Sequence, residues 1–516
     1  MTINGYILAL DLGTTGNRAF VFNAEGTIVG SAYKELTQYY PQPGWLEHDP
    51  QAIWQDTCWV MQNAIAQINP SEIVALGLTV QRETCLIWDK TTGKPLHRAI
   101  VWQDRRTATL CHQLQAQGYT QEIYDRTGLV IDAYFSATKL RWLLDQFPDV
   151  DHDNLLAGTI DTWVLWNLTG GRVHATDHSN ASRTMLMNLQ TCEWDETLLQ
   201  LFQIPAHILP QIHPSLGKFG VTDAAVVGAS IPITAVLGDQ QAALFGHGCD
   251  RPGLMKCTYG TGSFLVAHTG SEIVRSQQQL ISTIAWTQEK QSRGMVSTIS
   301  NSPLLSDLCR APNLDVGYAL EGSMFTSGAC IQWLRDGLKI IASAAETESM
   351  ANQVPDNGGV YFIPAFSGLG APHWDMSARG AFFGLTARVQ PQHLVRAVLE
   401  AIAYQVVEVV QAINASSSTP MGRLTVDGGA CENNFLMQFQ ADVLGIPIER
   451  PTNRDTTVQG AAFAAGLAIG FWSSYAALVE HRQIERVFEP GMGRDSAVTN
   501  FAIWQKALKR TLAWTD

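Results

Sequence analysis

Two short segments, one in each half of the chain, carry residue types suited to holding phosphate groups. Residues 11–15 read Asp-Leu-Gly-Thr-Thr after an apolar run, and residues 259–262 read Tyr-Gly-Thr-Gly. Glycine lets a backbone turn sharply and approach a ligand, and threonine supplies hydroxyl and amide donors. Asp11, at the end of a predicted strand, suits a hydrated Mg²⁺, which prefers one or two carboxylates beside phosphate. The first segment alone is better explained as an ordinary β-turn, and a hairpin turn is the alternative for the second, but the pair predicts a clamp on phosphates.

A third glycine-rich segment, residues 427–430 with the sequence Asp-Gly-Gly-Ala, follows an apolar run and precedes a helical pattern. Two adjacent glycines would let a flat ring lie against bare backbone, and close packing of a helix on a strand explains them equally well. The chain contains no Gly-x-x-x-x-Gly-Lys-Ser/Thr sequence, so a P-loop mechanism is excluded.

A candidate acid–base residue, Asp239, stands where an apolar run ends and a helical pattern begins. Phosphoryl transfer needs one carboxylate to accept the proton of the acceptor hydroxyl, and little other covalent chemistry from the protein. Asp239 could serve in this way. Capping of the following helix is the alternative, and this segment alone favours the cap.

Arg82 and Glu83 follow directly after another apolar run. A rigid fork of donors beside two acceptor oxygens suits the neighbouring hydroxyls of a polyol, although such ion pairs are also common on protein surfaces. Trp102 and Tyr134 could add flat apolar walls and one hydroxyl, with core packing as the alternative.

The elements that must position these residues alternate between strand and helix patterns. Apolar runs at 6–10, 19–22 and 28–32 are separated by turns and predict an antiparallel meander, which a helical pattern follows. The second half repeats this order, with predicted strands at 254–258 and 264–267 around its own Gly-Thr turn. This repetition indicates an ancient duplication.

Length predicts the same division. The 516 residues are too many for one hydrophobic core, since single cores stop growing at roughly 250–300 residues. Gly, Asp, Arg and Pro cluster at 248–253, and we place there the boundary between two α/β domains, 1–249 and 250–516, with a cleft between them. Residues 288–313 are polar and predict a long loop.

The charge balance limits the classes of partner. The 34 Lys and Arg against 47 Asp and Glu give a net charge of −13, which argues against nucleic acid or an anionic membrane as the main partner. A small anion must therefore be bound by local groups. No apolar stretch approaches the ~20 residues of a membrane-spanning helix, and the N-terminus lacks the pattern of a signal peptide. Together with nine scattered cysteines, these features predict a cytoplasmic protein.

These segments together resemble the carbohydrate kinases of the FGGY type, and they are most similar to the members that phosphorylate glycerol. The resemblance runs in family order over nearly the whole chain. It is carried by residues 40–50, 81–84, 128–132, 134–136, 180–185, 238–246, 259–262, 364–372 and 427–440. It implies the fold of the actin, hexokinase and sugar-kinase superfamily: an α/β protein with two ribonuclease-H-like domains around a central cleft.

The resemblance also implies roles for individual residues. ATP and Mg²⁺ are the implied cofactors, glycerol is the implied acceptor, ADP is a product, and Asp239 is the implied general base. Glycerol would be bound by Arg82, Glu83, Trp102, Tyr134, Asp239, Gln240 and Phe264. The nucleotide would be bound by Thr14, Thr15, Gly16, Arg18, Thr261, Gly328, Gln332, Gly429 and Asn433, and Asp11 would lie near Mg²⁺.

The sequence departs from the family pattern at two places. Gly16 stands where the family usually has serine, which removes one hydroxyl that could bind phosphate. Residues 220–228 lack the Gly-Gly-Lys-Gly-Gly loop that binds fructose 1,6-bisphosphate in some bacterial members, and they lack the histidine that is phosphorylated in others. Neither form of feedback control is therefore evident. The oligomeric state stays open, a homo-oligomer included.

Three other functions remain as alternatives. A kinase for another polyol or a ketose is the alternative within the family, although the Arg82–Glu83 pair with Trp102 favours glycerol. A non-catalytic nucleotide switch of the actin or heat-shock type is a second, and an intact Asp239 argues against it. A structural scaffold with a vestigial cleft is the third, and it predicts no thermal shift with ATP.

Overall fold

The computed structural model of the chain describes residues 4–290, 314–480, 482–491 and 494–515. The predicted loop at 288–313 therefore falls largely outside the described residues. Its first two residues were wrongly assigned to a loop, because Gln288 and Glu289 pair with Asp315 and Leu314 at the end of an antiparallel strand pair.

The first half is a series of short strands and helices. Its strands are β1 (Tyr6–Leu12), β2 (Gly16–Phe22), β3 (Ile28–Glu35), β4 (Glu47–His48), β5 (Ile73–Val80), β6 (Cys85–Asp89), β7 (Ala99–Ile100), β8 (Leu155–Thr159), β9 (Ala175–Asp177), β10 (Met187–Asn188), β11 (Glu193–Trp194), β12 (Gln211–His213) and β13 (Ile233–Gly238). Its helices are α1 (Pro50–Ala64), α2 (Ala108–Ala116), α3 (Thr120–Thr127), α4 (Ser136–Gln146), α5 (Ile160–Leu168), α6 (His178–Ala181), α7 (Glu196–Phe202), α8 (Ala224–Val227) and α9 (Asp239–Gly246).

The second half has longer central elements. Its strands are β14 (Leu254–Tyr259), β15 (Ser263–Gly270), β16 (Ile281–Glu289), β17 (Leu314–Met324), β18 (Tyr361–Ile363), β19 (Ala381–Phe383), β20 (Arg423–Asp427), β21 (Ile448–Pro451) and β22 (Ile484–Phe488). Its helices are α10 (Gly328–Asp336), α11 (Glu346–Asn352), α12 (Pro391–Ser416), α13 (Asn434–Leu444), α14 (Thr456–Ala468), α15 (Tyr475–Glu480) and α16 (Arg494–Leu508). No helix within the described ranges is both long and apolar enough to cross a bilayer.

The two central sheets share one topology. The first has the order β3-β2-β1-β5-β13, and the second contains the order β17-β15-β14-β20-β21. In each sheet the first three strands of the unit are antiparallel and the last two run parallel to the central strand. This repeated unit confirms the predicted α/β fold of two ribonuclease-H-like domains, and it agrees with the predicted duplication.

Not every strand of the first half joins its central sheet. The apolar runs at 85–88 and 99–102 contribute to β6 and β7, which pair in a separate sheet of order β4-β7-β6-β8. Strand β6 is antiparallel to β7 and β8, and its side chains divide between two apolar clusters: Leu86 and Trp88 pack with the first sheet, and Cys85 and Ile87 with a second cluster beside it. An apolar run indicates a strand, but it does not show which sheet the strand joins.

Helices α9 and α14 cross where the two halves of the chain meet. α14 lies against β1, β5 and β13 of the first sheet, whereas α9 also contacts β14 and β15 of the second. Glycines allow the helices to approach: a Cβ atom added at Gly460 would lie 1.9 Å from the carbonyl oxygen of Ala242, and one at Gly246 would lie 2.2 Å from that of Thr456. The start of α9, which carries Asp239, is thus positioned by both halves.

Candidate active site

Arg82 is the centre of the predicted acceptor site. It follows β5, and its side chain is buried. Its Nε atom lies 3.1 Å from Asp239 Oδ1, and its Nη2 atom lies 3.5 Å from the Tyr134 hydroxyl. Asp239 is the first residue of α9 and does not cap it, because Gly238 occupies the N-cap position. The Asp239 side chain is 26% exposed, so its carboxylate remains accessible to an acceptor hydroxyl while Arg82 orients it.

Arg82 belongs to a buried network of four charges. Glu321 on β17 accepts two hydrogen bonds from Arg82, of 2.6 and 2.9 Å, and one of 3.1 Å from Arg183. Arg183 also donates to Glu83 at 2.6 Å. Burial alone would raise the pKa of Glu321, but the charges of Arg183 and Arg82 outweigh it and lower this pKa to about 2. Glu321 therefore stays ionised and fixes the Arg82 guanidinium in one orientation.

Glu83 is held in an unusual backbone conformation. Its φ angle is 60°, in the left-handed region that residues other than glycine rarely adopt and that recurs at functional sites. The Ser136 hydroxyl donates a 2.9 Å hydrogen bond to the Glu83 carbonyl oxygen and holds this turn. Burial raises the pKa of the Glu83 carboxyl group, and Arg183 and Arg82 oppose that shift.

Three aromatic rings form one wall of the site. Trp102 packs edge-on against Tyr134, with ring centroids 5.5 Å apart, and against Phe264, at 5.6 Å. Phe264 comes from β15 in the second half, whereas the other two come from the first. The Trp102 Nε1 atom donates a 2.9 Å hydrogen bond to the Thr14 hydroxyl. The apolar wall is thus joined directly to the first predicted phosphate turn.

The first predicted phosphate turn connects β1 and β2. It is closed by a 3.0 Å hydrogen bond from the Gly13 amide to the Gly16 carbonyl oxygen. A Cβ atom at Gly16 would lie 2.5 Å from the Tyr33 ring and 2.8 Å from the Lys34 carbonyl oxygen, so both occupy the space that serine would need. Thr15 is exposed, and Arg18 pairs with Asp455 at 2.9 Å while both side chains keep contact with solvent.

Asp11 faces several other carboxylates. Burial and the nearby charges of Asp239, Asp455 and Asp427 raise the pKa of Asp11 to about 7, against the influence of Arg18. One buried oxygen of Asp427, Oδ1, has no hydrogen-bond partner. Among the described residues no three potential ligands lie close enough to hold a metal ion by themselves. These residues fit a hydrated Mg²⁺ that keeps several waters and also binds phosphate, because such an ion would relieve the repulsion.

The predicted nucleotide segments of the second half meet at one place. The Gly328 amide donates a 3.0 Å hydrogen bond to the Gly260 carbonyl oxygen, at the turn that carries Thr261. Gly428 has a φ angle of 83° and packs so tightly that a Cβ atom would lie 2.6 Å from the Tyr259 carbonyl oxygen. A Cβ atom at Gly429, in contrast, would contact nothing within 4 Å. Gly428 therefore serves packing, and Gly429 leaves the bare backbone that a flat ring requires.

Two further predicted nucleotide residues lie on neighbouring helices. Asn433 caps α13 by accepting a 2.9 Å hydrogen bond from the Leu436 amide, and it also donates to Thr347 at 3.0 Å. Gln332 is exposed on α10. Within the described part of the chain, neither hydrogen-bonds to the Gly260–Thr261 turn, so their role as nucleotide ligands stays a prediction.

Both halves of the sequence match one protein family. Residues 6–246 match the N-terminal domain of the FGGY family of carbohydrate kinases, and residues 255–469 match its C-terminal domain. The chain belongs to this family. The resemblance that the motifs indicated is thereby confirmed, while the boundary between residues 249 and 250 stays a prediction.

Relatives of this FGGY kinase are similar over their full length. A glycerol kinase of Nostoc sp. is 78% identical over 99% of each chain, and glycerol kinase 2 of Thermotoga maritima is 50% identical over 99% of each. The crystal structure of Plasmodium falciparum glycerol kinase with ADP superposes with a TM-score of 0.86 at 35% identity, covering 99% of this chain and 98% of that one. A xylulose kinase from Lactobacillus acidophilus, at 21% identity and a TM-score of 0.84, shares the fold.

The structure brings the predicted acceptor residues of this FGGY kinase together. Ion pairs, a hydrogen bond and ring contacts join six of them, and Gln240 follows Asp239 directly in α9. They are Arg82, Glu83, Trp102, Tyr134, Asp239, Gln240 and Phe264. Their action as glycerol ligands stays a prediction.

Sequence reasoning missed three buried charged residues of this FGGY kinase at the same place. Arg183 and Glu321 complete the network around Arg82, and Lys256 on β14 hydrogen-bonds to Gln240. Arg183 lies within a segment that resembled the family, but no role was predicted for it. For Glu321 and Lys256 the available signal was a charged residue within a mostly apolar segment of a strand, which demands a partner when the strand is buried.

Proposed function

We propose that this FGGY kinase transfers the γ-phosphoryl group of ATP to a terminal hydroxyl of glycerol, giving sn-glycerol 3-phosphate and ADP. The observation that carries the proposal is Asp239, accessible at the start of α9 and oriented by the buried Arg82 beside an aromatic wall. The full-length relatives that bear the name glycerol kinase, one with a solved ADP complex, support the same reaction.

In the proposed complex, each part of glycerol meets a matching surface. The carboxylates of Glu83 and Asp239 accept hydrogen bonds from hydroxyl groups, and Arg82 and Gln240 donate to their oxygens. The carbon side lies against Trp102 and Phe264. A ligand with fewer hydroxyls would leave buried donors or acceptors unpaired, which is costly and gives selectivity.

The proposed chemical step moves one proton and breaks one phosphorus–oxygen bond. Asp239 accepts the proton of the terminal hydroxyl as that oxygen attacks the γ-phosphorus in line. The bond from the γ-phosphorus to the bridging oxygen breaks, and ADP leaves with that electron pair. Arg82 keeps the Asp239 carboxylate oriented during the transfer.

The nucleotide is proposed to lie between the two Gly-Thr turns. Thr14, Thr15, the Gly16 amide and Arg18 would contact phosphate oxygens from one side, and Thr261 from the other. Gly328 and Gly429 would contact the adenosine, with Gln332 and Asn433 beside them. Asp11 would hold Mg²⁺, which when bound neutralises charge on the phosphates. Movement of the two halves toward each other would exclude water and limit hydrolysis of ATP.

A coupled assay of ADP release tests the proposal. With ATP and Mg²⁺, we expect release to depend on glycerol and to stay near background without it. A panel of other polyols and ketoses, including xylulose, tests the choice of acceptor within the family. Faster turnover of another member of the panel would overturn the assignment of glycerol, and omission of Mg²⁺ should abolish release.

We also propose a cytoplasmic location for this reaction. Seven cysteines in the described ranges are free thiols, and six of them are buried: Cys85, Cys111, Cys249, Cys257, Cys330 and Cys431, with Cys58 partly exposed. Free thiols persist in reducing compartments, where ATP is also available. Fractionation of the source cells with detection of the chain by antibody would test the location.

A further inference from the structure

Lys256 is a buried cation behind the acceptor site that the proposed chemistry leaves without a role. It lies on β14, and its side chain is fully buried. Within the described residues no carboxylate lies within ion-pair distance of its ammonium group. A lysine in such a place costs stability, because its charge has been removed from water without a paired anion. The hydrogen-bond partners of the ammonium group therefore indicate what a lysine does at this position.

The ammonium group of Lys256 contacts one residue of the proposed glycerol site. It donates a hydrogen bond to Gln240 Oε1, and a second, of 2.9 Å, to the Thr258 hydroxyl. Burial lowers the pKa of Lys256, and the nearby charges of Asp427 and Asp239 oppose that shift and favour the ammonium form. Lys256 thus stands behind the segment that carries both the proposed base and its neighbour.

The chemistry of lysine decides which end of the Gln240 carboxamide faces inward. An ammonium group can only donate hydrogen bonds, so it can bind Gln240 only through the carbonyl oxygen. The Nε2 group must then point away from Lys256. No described residue accepts a hydrogen bond from Gln240 Nε2, and this atom is not among the fully buried ones, so it keeps contact with solvent. Gln240 therefore presents donors to the site.

We propose that Lys256 is a positioning residue, which fixes the Gln240 carboxamide so that its N–H groups donate to a hydroxyl oxygen of the acceptor. This inference rests on the proposed function and specifies which end of the Gln240 carboxamide faces the acceptor. Without Lys256 the carboxamide could rotate by half a turn and present its oxygen instead. The acceptor site would then have Asp239, Glu83 and Gln240 all accepting, with Arg82 and the Tyr134 hydroxyl as the remaining donors.

Steady-state kinetics of the full chain test the proposal. Lys256→Met removes the charge at similar length, and Lys256→Gln leaves a partner that can both donate and accept. For both variants we expect kcat/KM for glycerol to fall by about tenfold or more, with the KM for ATP within about twofold of wild type. Lys256→Arg, which can only donate, should retain more activity than Lys256→Gln. Equal losses in Lys256→Arg and Lys256→Gln would overturn the proposal.

Two further readouts separate positioning from general damage. In a Gln240→Leu background, Lys256→Met should change kcat/KM by less than about twofold, because its partner is already gone. The preference for glycerol over propane-1,2-diol should fall in Lys256→Gln. A carboxamide whose orientation is not fixed gains less from the hydroxyl that glycerol has and propane-1,2-diol lacks. Additive losses, or an unchanged preference, would show that Lys256 acts only on stability.

Assays of the wild-type chain distinguish failure of the proposed function from failure of the proposed role of Lys256. If wild type releases no ADP in response to glycerol, the proposed function fails. The other case is that wild type is active and that Lys256→Met and Lys256→Gln both fold and have the wild-type kcat and KM values. The proposed function then stands, and the role of Lys256 is refuted. Lys256→Gln, which keeps a polar group at the position, serves where Lys256→Met does not fold.

Discussion

At the scale of single residues, the site is built so that buried charges hold one another. Arg82 gives its two Nη groups to Glu321 and its Nε atom faces Asp239, while Arg183 spans Glu83 and Glu321. One charge in this set, Asp239, remains partly exposed. The network therefore fixes the guanidinium groups of Arg82 and Arg183, and the Asp239 carboxylate stays accessible for the proposed proton transfer.

Asp239→Asn removes the proposed base while keeping its shape. We expect kcat to fall by about 10²–10⁴-fold, because general base catalysis typically contributes that much. The KM for ATP should change little, since the nucleotide is proposed to bind elsewhere. Asp145→Asn, at an exposed carboxylate paired with Arg141 on α4, is the matched control and should keep wild-type activity. Full glycerol-dependent turnover in Asp239→Asn would contradict the assignment of Asp239 as the general base.

Glu321→Gln tests the buried network through its pH dependence. The pKa of Glu321 is about 2 in the folded chain, below the usual value of 4.5. A carboxyl group with a depressed pKa stabilises the fold above the unfolded value and loses that contribution as pH falls through the folded one. We expect Glu321→Gln to cost about 3–5 kcal/mol at pH 7, because it leaves two guanidinium groups underpaired.

The stability difference between wild type and Glu321→Gln should shrink as pH is lowered from about 5 toward 2. Urea unfolding at several pH values measures it. Asp336→Asn, which removes an exposed ion pair with Arg335, should leave stability nearly unchanged throughout. A pH-independent difference for Glu321→Gln would contradict the assignment of an ionised Glu321.

At the scale of elements, glycines decide how closely the parts of the site approach. The crossing of α9 and α14 depends on Gly460 and Gly246, and the first phosphate turn depends on Gly16. None of these three has the positive φ angle that would require glycine for backbone reasons. Each is small because a neighbouring element occupies the space.

Gly460→Ala should push α9 away from α14, since its Cβ atom would lie 1.9 Å from the Ala242 carbonyl oxygen. We expect a loss of roughly 1–3 kcal/mol in the free energy of unfolding and a fall in kcat, because α9 carries Asp239. Gly422→Ala is the matched control, since a Cβ atom there meets nothing within 4 Å. Equal stability of the two variants would show that the crossing adapts freely.

Gly16→Ser tests why this chain departs from its family at the phosphate turn. The Cβ atom of serine would lie 2.5 Å from the Tyr33 ring, so we expect the KM for ATP to rise although a hydroxyl has been added. Tyr33→Ala removes the ring but not the Lys34 carbonyl oxygen, which would lie 2.8 Å from the same Cβ atom, so Gly16→Ser/Tyr33→Ala should restore only part of the affinity lost in Gly16→Ser and lower its KM for ATP. A lower KM for ATP in Gly16→Ser alone would show that Tyr33 moves aside at little cost, as its 51% exposure permits.

At the scale of the whole molecule, the site depends on both halves of an acidic chain. The net charge of −13 argues against a broad cationic surface, and the proposed nucleotide would be bound by turns from each half and a few placed charges. Phe264 and Glu321 come from the second half, yet they complete a site whose base and arginines come from the first.

Ligands that bridge the halves should stabilise the molecule as a whole. We expect glycerol and ATP together to raise the Tm of Asp239→Asn, in which turnover is blocked, by more than the sum of their separate effects. The reason is that each ligand would bind more tightly to halves already held together by the other. Differential scanning fluorimetry measures this shift, with Mg²⁺ present in every sample. Purely additive shifts would indicate two independent sites.

The sequence by itself predicted the repeated strand pattern, the two Gly-Thr turns and most of the proposed acceptor residues. Periodicity and turn chemistry are local properties, so they predicted the meander that precedes Asp11 and the helix that begins at Asp239. Even there, Asp239 alone was better explained as a helix cap than as a base. The family resemblance supplied the roles of residues that the pattern left open.

Only the tertiary structure decided which residues share the site across the chain. Glu321 lies 239 positions along the chain from its partner Arg82. Lys256 lies 16 positions from its partner Gln240. A buried charge in a strand shows that a partner must exist, but its identity depends on how the sheets pack, which no local pattern encodes. The same holds for Tyr33 beside Gly16 and for Ala242 beside Gly460, where the space available is set by another element.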